Sequence, residues 1–242
     1  MCLRGSVPFF NRLLCGPMNV SVIIPALDEA ARIRESIDRA WVAGADEVIV
    51  VDGGSRDGTA DIAAAARCEL VASRRGRARQ QNAGAARATG GVLLFLHADN
   101  WLAAGAVDQV RRVLGDSRGA WGAFRQRIEA AGIGYRLLEL SNWLRAACVR
   151  RPYGDQGIFV RRAAFEAVGG FPDVPLMEDV LLAKRLAALG RPRLLRGPLY
   201  VSARRWQARG VVRQTLQNWS LLARARLGAR LDELAAEYEG RE

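Results

Sequence analysis

The chain has 242 residues, of which 50% are hydrophobic and 25% charged, a composition typical of a globular protein with one large α/β domain. The four cysteines show no CxxC spacing and there is one histidine, which argues against a disulfide framework or a Cys/His zinc site and favours a reducing, cytoplasmic location. The net charge of +11 comes almost wholly from arginine, which also binds phosphate, so the charge by itself does not indicate nucleic acid.

The first 17 residues differ from the rest of the chain. They have a positive start but a broken apolar stretch and no small-residue cleavage site, which makes them a poor signal peptide. We interpret residues 1–17 as a disordered leader or as a start codon assigned too early. No apolar run in the sequence approaches the ~20 residues of a membrane span.

From Asn19 onward, short apolar runs alternate with helical stretches. The pattern predicts strands over 20–25, 47–51, 69–72 and 92–96, and helices over 29–43, 58–66, 77–88 and 103–114. Strands that alternate with single helices are typical of βαβ units, so we predict an α/β fold with a parallel sheet. Ligands of such sheets bind at the carboxyl ends of the strands, here directly after Ile24, Val51 and Leu96.

The second half of the chain is less regular. Its pattern predicts strands over 120–128, 157–161 and 194–201, and helices over 134–149, 163–168, 179–189, 211–227 and 231–238. Since there is no internal repeat and no low-complexity linker, we predict one domain over 18–203 with a C-terminal helical appendage over 204–242.

Acidic residues follow three of the predicted strands. Asp28 and Glu29 come after the first, Asp52 after the second, and Asp99 after the strand that ends before His97. Asp28 could simply cap the following helix, as aspartates often do, whereas Asp52 and Asp99 end wholly apolar strands. Carboxylates clustered at one sheet edge repel each other unless a cation compensates them. Mg²⁺ or Mn²⁺, held by one or two carboxylates and a diphosphate, would meet that need.

Four motifs in chain order, PALDE, VVDGGSRDGT, LFLHADN and PLMEDV, resemble glycosyltransferase family 2 over residues 20–189. The resemblance implies the GT-A fold, a nucleotide-binding α/β sandwich with a mostly parallel central sheet. It also implies transfer of a sugar from a nucleotide-diphospho-sugar donor. The stretches GRARQQNAGA, YGDQGIFVRR and SARRW are similar, more narrowly, to transferases associated with radical-SAM or arsenosugar gene neighbourhoods.

The same resemblance implies roles for individual positions. Around the donor nucleotide it places Pro25, Asp28, Glu29, Asp52, Arg79 and Asn82, with Asp28 standing where asparagine is commoner. His97-Ala98-Asp99 matches the Asp-x-Asp metal motif, with histidine in place of the first aspartate. Asp99 is therefore implied as the principal metal ligand. His97 is an auxiliary ligand, a hydrogen-bonding residue or simply a packed side chain.

Three further pairs of residues match motifs of the family. Glu178-Asp179 corresponds to the acidic pair whose second member is the catalytic base, although acids that open a helix also complement its dipole. Asp155-Gln156 falls where the family shapes the sugar and acceptor pocket, and the adjacent glycines could equally make a turn. Arg205-Trp206 is similar to the element of processive members that assists the diphosphate and the acceptor. Such a pair also occurs as surface cation–π packing.

We therefore predict an inverting, metal-dependent glycosyltransferase with a small-molecule or lipid acceptor. A nucleotidyltransferase of similar fold would begin with a glycine-rich phosphate loop, whereas PALDE has no glycine. The alternative of a basic nucleic-acid or membrane binder rests on the stretches 74–79 and 204–213, the second of which leads into a helix with Leu216 and Trp219. We expect no nucleic-acid partner. Peripheral contact of the C-terminal helices with the inner face of a membrane would add to the transferase activity.

Overall fold

The computed structural model of the protein describes residues 18–115 and 119–239, and the predicted leader over 1–17 lies outside them. The described strands are β1 Val20–Ala26, β2 Glu47–Asp52, β3 Glu69–Ala72, β4 Val92–Phe95, β5 Asn100–Leu102, β6 Trp121–Ile128, β7 Phe159–Arg161 and β8 Arg193–Val201. The described helices are α1 Ile33–Val42, α2 Thr59–Ala64, α3 Arg77–Arg87, α4 Ala106–Gly115, α5 Ile133–Val149, α6 Arg162–Ala167, α7 Glu178–Ala187, α8 Arg204–Arg209, α9 Val211–Arg226 and α10 Leu231–Glu239.

The described strands form one sheet in the order β3-β2-β1-β4-β7-β6-β8-β5. The β3/β2, β2/β1, β1/β4 and β6/β8 pairs are parallel, whereas β4/β7, β7/β6 and β8/β5 are antiparallel. The sheet is therefore mostly parallel, and the predicted α/β fold is confirmed.

Both faces of the sheet are covered by helices, which explains why the central strands are apolar at nearly every position. On one face, Val22 and Ile24 of β1 belong to the same apolar cluster as Ile33 and Ile37 of α1. On the other face, Ile23 belongs to a second cluster that includes residues of α3, α6 and α7.

Gly84 allows helix α3 to pack closely against the sheet. A Cβ atom at this position would lie 2.5 Å from Ile23 Cγ2 and 2.9 Å from Val51 Cγ2, closer than side chains approach one another. The glycine in the NAGA stretch therefore fixes the distance between α3 and strands β1 and β2. Because α3 follows the parallel strand β3, its N-terminal turn sits at the carboxyl edge of the sheet.

Helix α1 and strand β5 are two places where the structure differs from the local predictions. Helix α1 begins at Ile33 rather than at Glu29, because the Glu29 carbonyl accepts hydrogen bonds at 2.9 Å from both the Arg32 and the Ile33 N–H groups in an irregular turn. Strand β5 was not predicted, since its three residues are too few to give an alternating pattern. It forms by antiparallel pairing with β8, in which Leu102 lies opposite Leu199.

The three C-terminal helices pack on the domain. Leu221 of α9 and Leu234 of α10 are buried, and Arg224 forms a 2.6 Å ion pair with Glu237 that joins α9 to α10. The division of the chain at residue 203 stays a prediction. Among the described helices, none is long and apolar enough to cross a membrane.

Candidate active site

Two adjoining cavities open at the carboxyl edge of the sheet. The first, of about 580 Å³ and called here the β1 cavity, lies between the loop after β1, the start of α3, residues 173–176 and helix α10. The second, of about 520 Å³ and called here the α5–α9 cavity, lies between helices α5 and α9. Both are lined by Arg77, His97, Asp99, Leu176 and Tyr238. A ligand could therefore span the two cavities past these side chains.

The loop after β4 carries two of the predicted site residues to the junction. A tight turn, in which the Asn100 N–H donates to the His97 carbonyl at 3.0 Å, directs His97 and Asp99 toward the cavities. Asp99 and Asp179 line the α5–α9 cavity together. The structure therefore brings these two acids, from separate chain segments, to one cavity.

Asp179 is positioned by the turn that contains Gly154. Its Oδ2 accepts a hydrogen bond from the Gly154 N–H at 2.5 Å, and its Oδ1 accepts one from the Val180 N–H at 2.7 Å. Met177, just before α7, has a left-handed φ of 66°, a strained conformation that is often found at functional sites. The start of α7 thus directs the Asp179 carboxylate into the cavity.

Asp155 lies in a short 3₁₀ turn, Gly154–Gln156, and lines the same cavity. Its Oδ1 is buried and has no hydrogen-bond partner among the described residues. Burial raises the pKa of the Asp155 carboxyl, Arg145 opposes that effect, and the charges of Asp179 and Asp99 raise the pKa further. Three carboxylates therefore interact at this junction.

Arg145 on α5 is a site residue that the sequence analysis missed. It lines the α5–α9 cavity, and its guanidinium carbon lies 3.3 Å from the centre of the Tyr153 ring. Its side chain donates to the Arg151 carbonyl at 2.5 Å and to Gln156 Oε1 at 3.2 Å. Burial lowers the pKa of the guanidinium, and the charges of Asp155 and Asp179 counteract this effect. Gln156, predicted to bind the ligand, lines neither cavity and instead accepts the hydrogen bond from Arg145.

Glu178 and Arg77 form an ion pair at the back of the junction. Glu178 is only 2% exposed, and its Oε1 lies 3.6 Å from an Arg77 guanidinium nitrogen. Burial raises the pKa of the Glu178 carboxyl, and the positive charge of Arg77 opposes that effect. Glu178 lines neither cavity, so the structure brings Asp179 but not Glu178 to the cavity surface. Arg77, which the sequence analysis did not single out, lines both.

Three of the residues predicted around the donor line the β1 cavity: Pro25, Glu29 and Arg79. Arg79 forms an ion pair with Asp173, another lining residue, at 2.8 Å. Trp206 lines the α5–α9 cavity, whereas the side chain of Arg205 lies outside the described part of the structure.

The other three predicted donor residues are committed to the loops themselves. Asp52 accepts hydrogen bonds from the Gly54 N–H at 2.9 Å and from Ser55 Oγ at 2.5 Å. Asp28 accepts from the Arg56 N–H at 2.8 Å. The amide of Asn82 pairs with the backbone N–H and carbonyl of Phe171, at 3.0 and 2.8 Å. These three side chains line neither cavity, and their polar atoms are bonded to backbone groups and the Ser55 hydroxyl of neighbouring loops.

The donor set at the junction suits a hard divalent cation. Within residues 18–115 and 119–239, no three His, Cys, Asp or Glu side chains are arranged to hold a metal ion by themselves. Mg²⁺ commonly binds through one or two carboxylates and takes its other ligands from water and substrate phosphates. Asp99, with the unpartnered Asp155 oxygen in the same cavity, provides carboxylates that such a cation would compensate.

Comparison with known proteins identifies the domain. The family model described as "Glycosyl transferase family 2" matches residues 21–164, more than half of the chain. A comparison with curated protein sequences gives no match.

Two groups of solved structures share the fold. A crystal structure of S. aureus TarS has a TM-score of 0.60 at 16% identity and covers 76% of this chain and 36% of its own. TarS in complex with UDP has a TM-score of 0.60 at 16% identity and covers 76% of this chain and 60% of its own. The chain therefore spans less than two thirds of the length of these relatives. Glucosyl-3-phosphoglycerate synthase from Mycobacterium tuberculosis, in complex with Mn²⁺, UDP and glucosyl-3-phosphoglycerate, has a TM-score of 0.54 at 20% identity and covers 84% of this chain and 77% of its own. At these identities the likeness is one of fold.

Proposed function

Because the chain belongs to glycosyl transferase family 2, we propose that it transfers a sugar from a nucleotide-diphospho-sugar to an acceptor hydroxyl or similar nucleophile. One observation carries the proposal: Asp99 and Asp179 line a single cavity, and Asp99 also lines the cavity beside it. Two substrates could meet at such a junction, with a carboxylate available to each. UDP in the TarS and glucosyl-3-phosphoglycerate synthase structures supports a nucleoside diphosphate as the leaving group.

The two cavities would divide the substrates between them. The donor nucleotide would lie in the β1 cavity against Pro25, Glu29 and Arg79, with Arg77 at the junction to pair with the diphosphate. The acceptor would lie in the α5–α9 cavity, where Trp206 forms part of the wall. Holding both substrates in this way removes much of the entropic barrier to their reaction. Asp28, Asp52 and Asn82 would then shape the surrounding loops.

In the proposed reaction, Asp179 is the general base. It takes the proton of the acceptor hydroxyl as the acceptor oxygen bonds to the anomeric carbon and the bond from that carbon to the diphosphate oxygen breaks. Attack on the face opposite the leaving group inverts the anomeric configuration. Its two backbone hydrogen bonds, from Gly154 and Val180, would hold the carboxylate in position.

A divalent cation would be held by Asp99, with His97 beside it, together with the donor diphosphate. Mg²⁺ or Mn²⁺ fits the carboxylate donors, and each accompanies UDP in a structure of glucosyl-3-phosphoglycerate synthase. When bound, the cation would neutralise negative charge on the diphosphate. The membrane contact predicted for the C-terminal helices would accompany the transferase activity and not replace it.

Exchange of the base tests the assignment. Asp179→Asn should lower kcat by about 10²–10⁴, the range expected for loss of a general base. Its affinity for UDP should be unchanged, because the residue faces the other cavity. Release of nucleoside diphosphate from a panel of nucleotide sugars measures the first quantity, and isothermal titration with UDP and Mn²⁺ the second. Asp38→Asn, at an exposed position on α1, is the matched control. Wild-type turnover by Asp179→Asn would show that another group is the base.

A further inference from the structure

Two exposed apolar stripes lie on helices α5 and α9. Their members are large hydrophobic residues, spaced three or four apart along α5 and over the first half of α9, so these members share one side of each helix. On α5 they are Ile133, Leu137, Leu140 and Leu144, and on α9 with the residue after it they are Val212, Leu216, Trp219 and Leu227. We call these eight residues the α5–α9 face. A contiguous apolar surface on a soluble domain marks an interaction site.

The two stripes are close neighbours and continue into the α5–α9 cavity. The N-terminal ends of the helices touch, since a Cβ on Gly134 of α5 would lie 3.6 Å from Val211 Cγ1 of α9. Trp219 is 59% exposed and also lines the cavity. Val149, at the end of α5, is likewise half exposed and part of the cavity wall. The mouth of the cavity therefore opens within the apolar face.

The helices that carry the face are basic. Exposed arginines lie directly after α5 at Arg150, on α8 at Arg204 and on α9 at Arg213. Helices α8 and α9 contain no acidic residue, and the single one on α5, Glu139, is buried and paired with Arg136 at 2.7 Å. An apolar surface with a basic rim complements an anionic lipid surface, which takes hydrophobic side chains at the acyl boundary and arginines at the headgroups. Two copies meeting through this face would bring like charges together.

We propose that the α5–α9 face docks on an anionic lipid bilayer and that the cavity within it admits a membrane-bound amphiphilic acceptor. The polar head of such an acceptor enters toward Asp179, and its hydrocarbon part leaves past Val149 and Trp219. The docking proposal rests only on the properties of the α5–α9 face. The acceptor class rests on the proposed function.

Co-sedimentation with vesicles tests the docking. The full chain is mixed, at about 0.15 M salt, with vesicles of phosphatidylcholine alone or of phosphatidylcholine with phosphatidylglycerol. The wild type should pellet with the anionic vesicles in excess over the neutral ones. The double variant Leu137→Gln/Leu216→Gln should reduce the partition coefficient at least about tenfold, because burying two leucine side chains contributes more than a factor of ten requires. Neither residue lines a cavity.

Matched controls separate the face from general effects. Val42→Gln, at a 66% exposed apolar position on α1, should leave vesicle binding unchanged. Arg213→Glu should weaken binding to anionic vesicles more than Arg112→Glu, which makes the same charge change on helix α4. Circular-dichroism melting curves verify that each variant is folded.

Several results would overturn the proposal. The first is that the wild type pellets equally with both kinds of vesicle. The second is that Val42→Gln loses as much vesicle binding as the double variant, and the third is that the two arginine variants lose vesicle binding equally. A wild-type dimer that becomes a monomer in the double variant, by light scattering, would make the face an interface between copies instead. Thermal stabilisation by UDP with Mn²⁺ tests the proposed function independently. Vesicle binding without UDP binding would leave the docking intact and remove the acceptor assignment.

Discussion

Gly154 is the position at which a single methyl group would most directly disturb the proposed chemistry. A Cβ atom there would lie 3.0 Å from His97 Nε2 and 3.1 Å from both Cβ and Oδ2 of Asp179. These distances are several tenths of an ångström shorter than an ordinary contact, so both side chains must move in Gly154→Ala. The same residue donates its N–H to Asp179, which means that the displaced group is the one the glycine orients.

Two magnitudes follow for Gly154→Ala. Overpacking at a crowded site costs about 1–3 kcal/mol of folding free energy. Misplacement of a catalytic group by about 1 Å costs about 10²-fold in rate. We therefore expect kcat to fall by up to about two orders of magnitude in a protein that still folds and still binds UDP.

Steady-state kinetics, thermal melting and UDP titration measure these effects. The control is Gly115→Ala at the end of α4, where a Cβ would meet nothing within 4 Å, and it should leave both turnover and melting temperature unchanged. Turnover of Gly154→Ala close to that of the wild type would refute the reasoning, since Asp179 would then tolerate displacement.

Three further substitutions test the charges of the site. Arg77→Ala should weaken UDP binding by about 10–150-fold, the loss expected for a charged hydrogen bond of about 1.5–3 kcal/mol. Arg87→Ala is the control on the same helix, where the arginine is paired with Glu69, and it should leave the affinity for UDP unchanged. Titration calorimetry measures both affinities. Asp99→Asn should remove the extra thermal stabilisation that Mn²⁺ adds to UDP, about 2.7 kcal/mol at a hundredfold excess over Kd in the wild type; an unchanged Mn²⁺ effect would contradict the metal assignment. Burial raises the pKa of Glu178 in the folded protein above its ordinary value of 4.5. Below pH 4.5 the carboxyl is neutral and its contribution to stability is fully present, and this contribution is lost as the pH rises through the folded-state pKa. In urea titrations, the free energy of unfolding of the wild type should therefore fall relative to that of Glu178→Gln as the pH rises above about 4.5, and a difference that is constant with pH would exclude this effect.

Most of the first half of the fold could be predicted because its signals are local. Strands β1, β2 and β4 are buried on both faces, so their sequences are continuous apolar runs bounded by turns. The three-residue β5 exists through its pairing with β8 and carries no pattern of its own. The start of α1 was predicted at residue 29 instead of Ile33, because hydrophobic periodicity does not reveal the irregular turn before the helix.

The site could be predicted in part for similar reasons. Asp99 and Asp179 are marked by acidic motifs at a strand end and at a helix start. Arg77 and Arg145 carry no such mark in a chain with so many arginines, and only the folded structure brings them to the cavities. Asp52 and Asn82 lie in matching motifs, but local hydrogen bonds to turn backbone decide where their side chains point.

The antiparallel insertion of β7 explains why residues so distant in sequence meet at one point. Strand β7 pairs with β4, with Leu94 opposite Phe159 and the Phe95 N–H donating to the Ile158 carbonyl at 2.9 Å. Because the two strands run in opposite directions, the residues just before β7 lie at the edge of the sheet where β4 ends. That edge carries His97 and Asp99, so the 3₁₀ turn Gly154–Gln156 is brought against them. A parallel strand in this place would have put its leading turn at the opposite edge and left Asp179 without the Gly154 N–H that positions it.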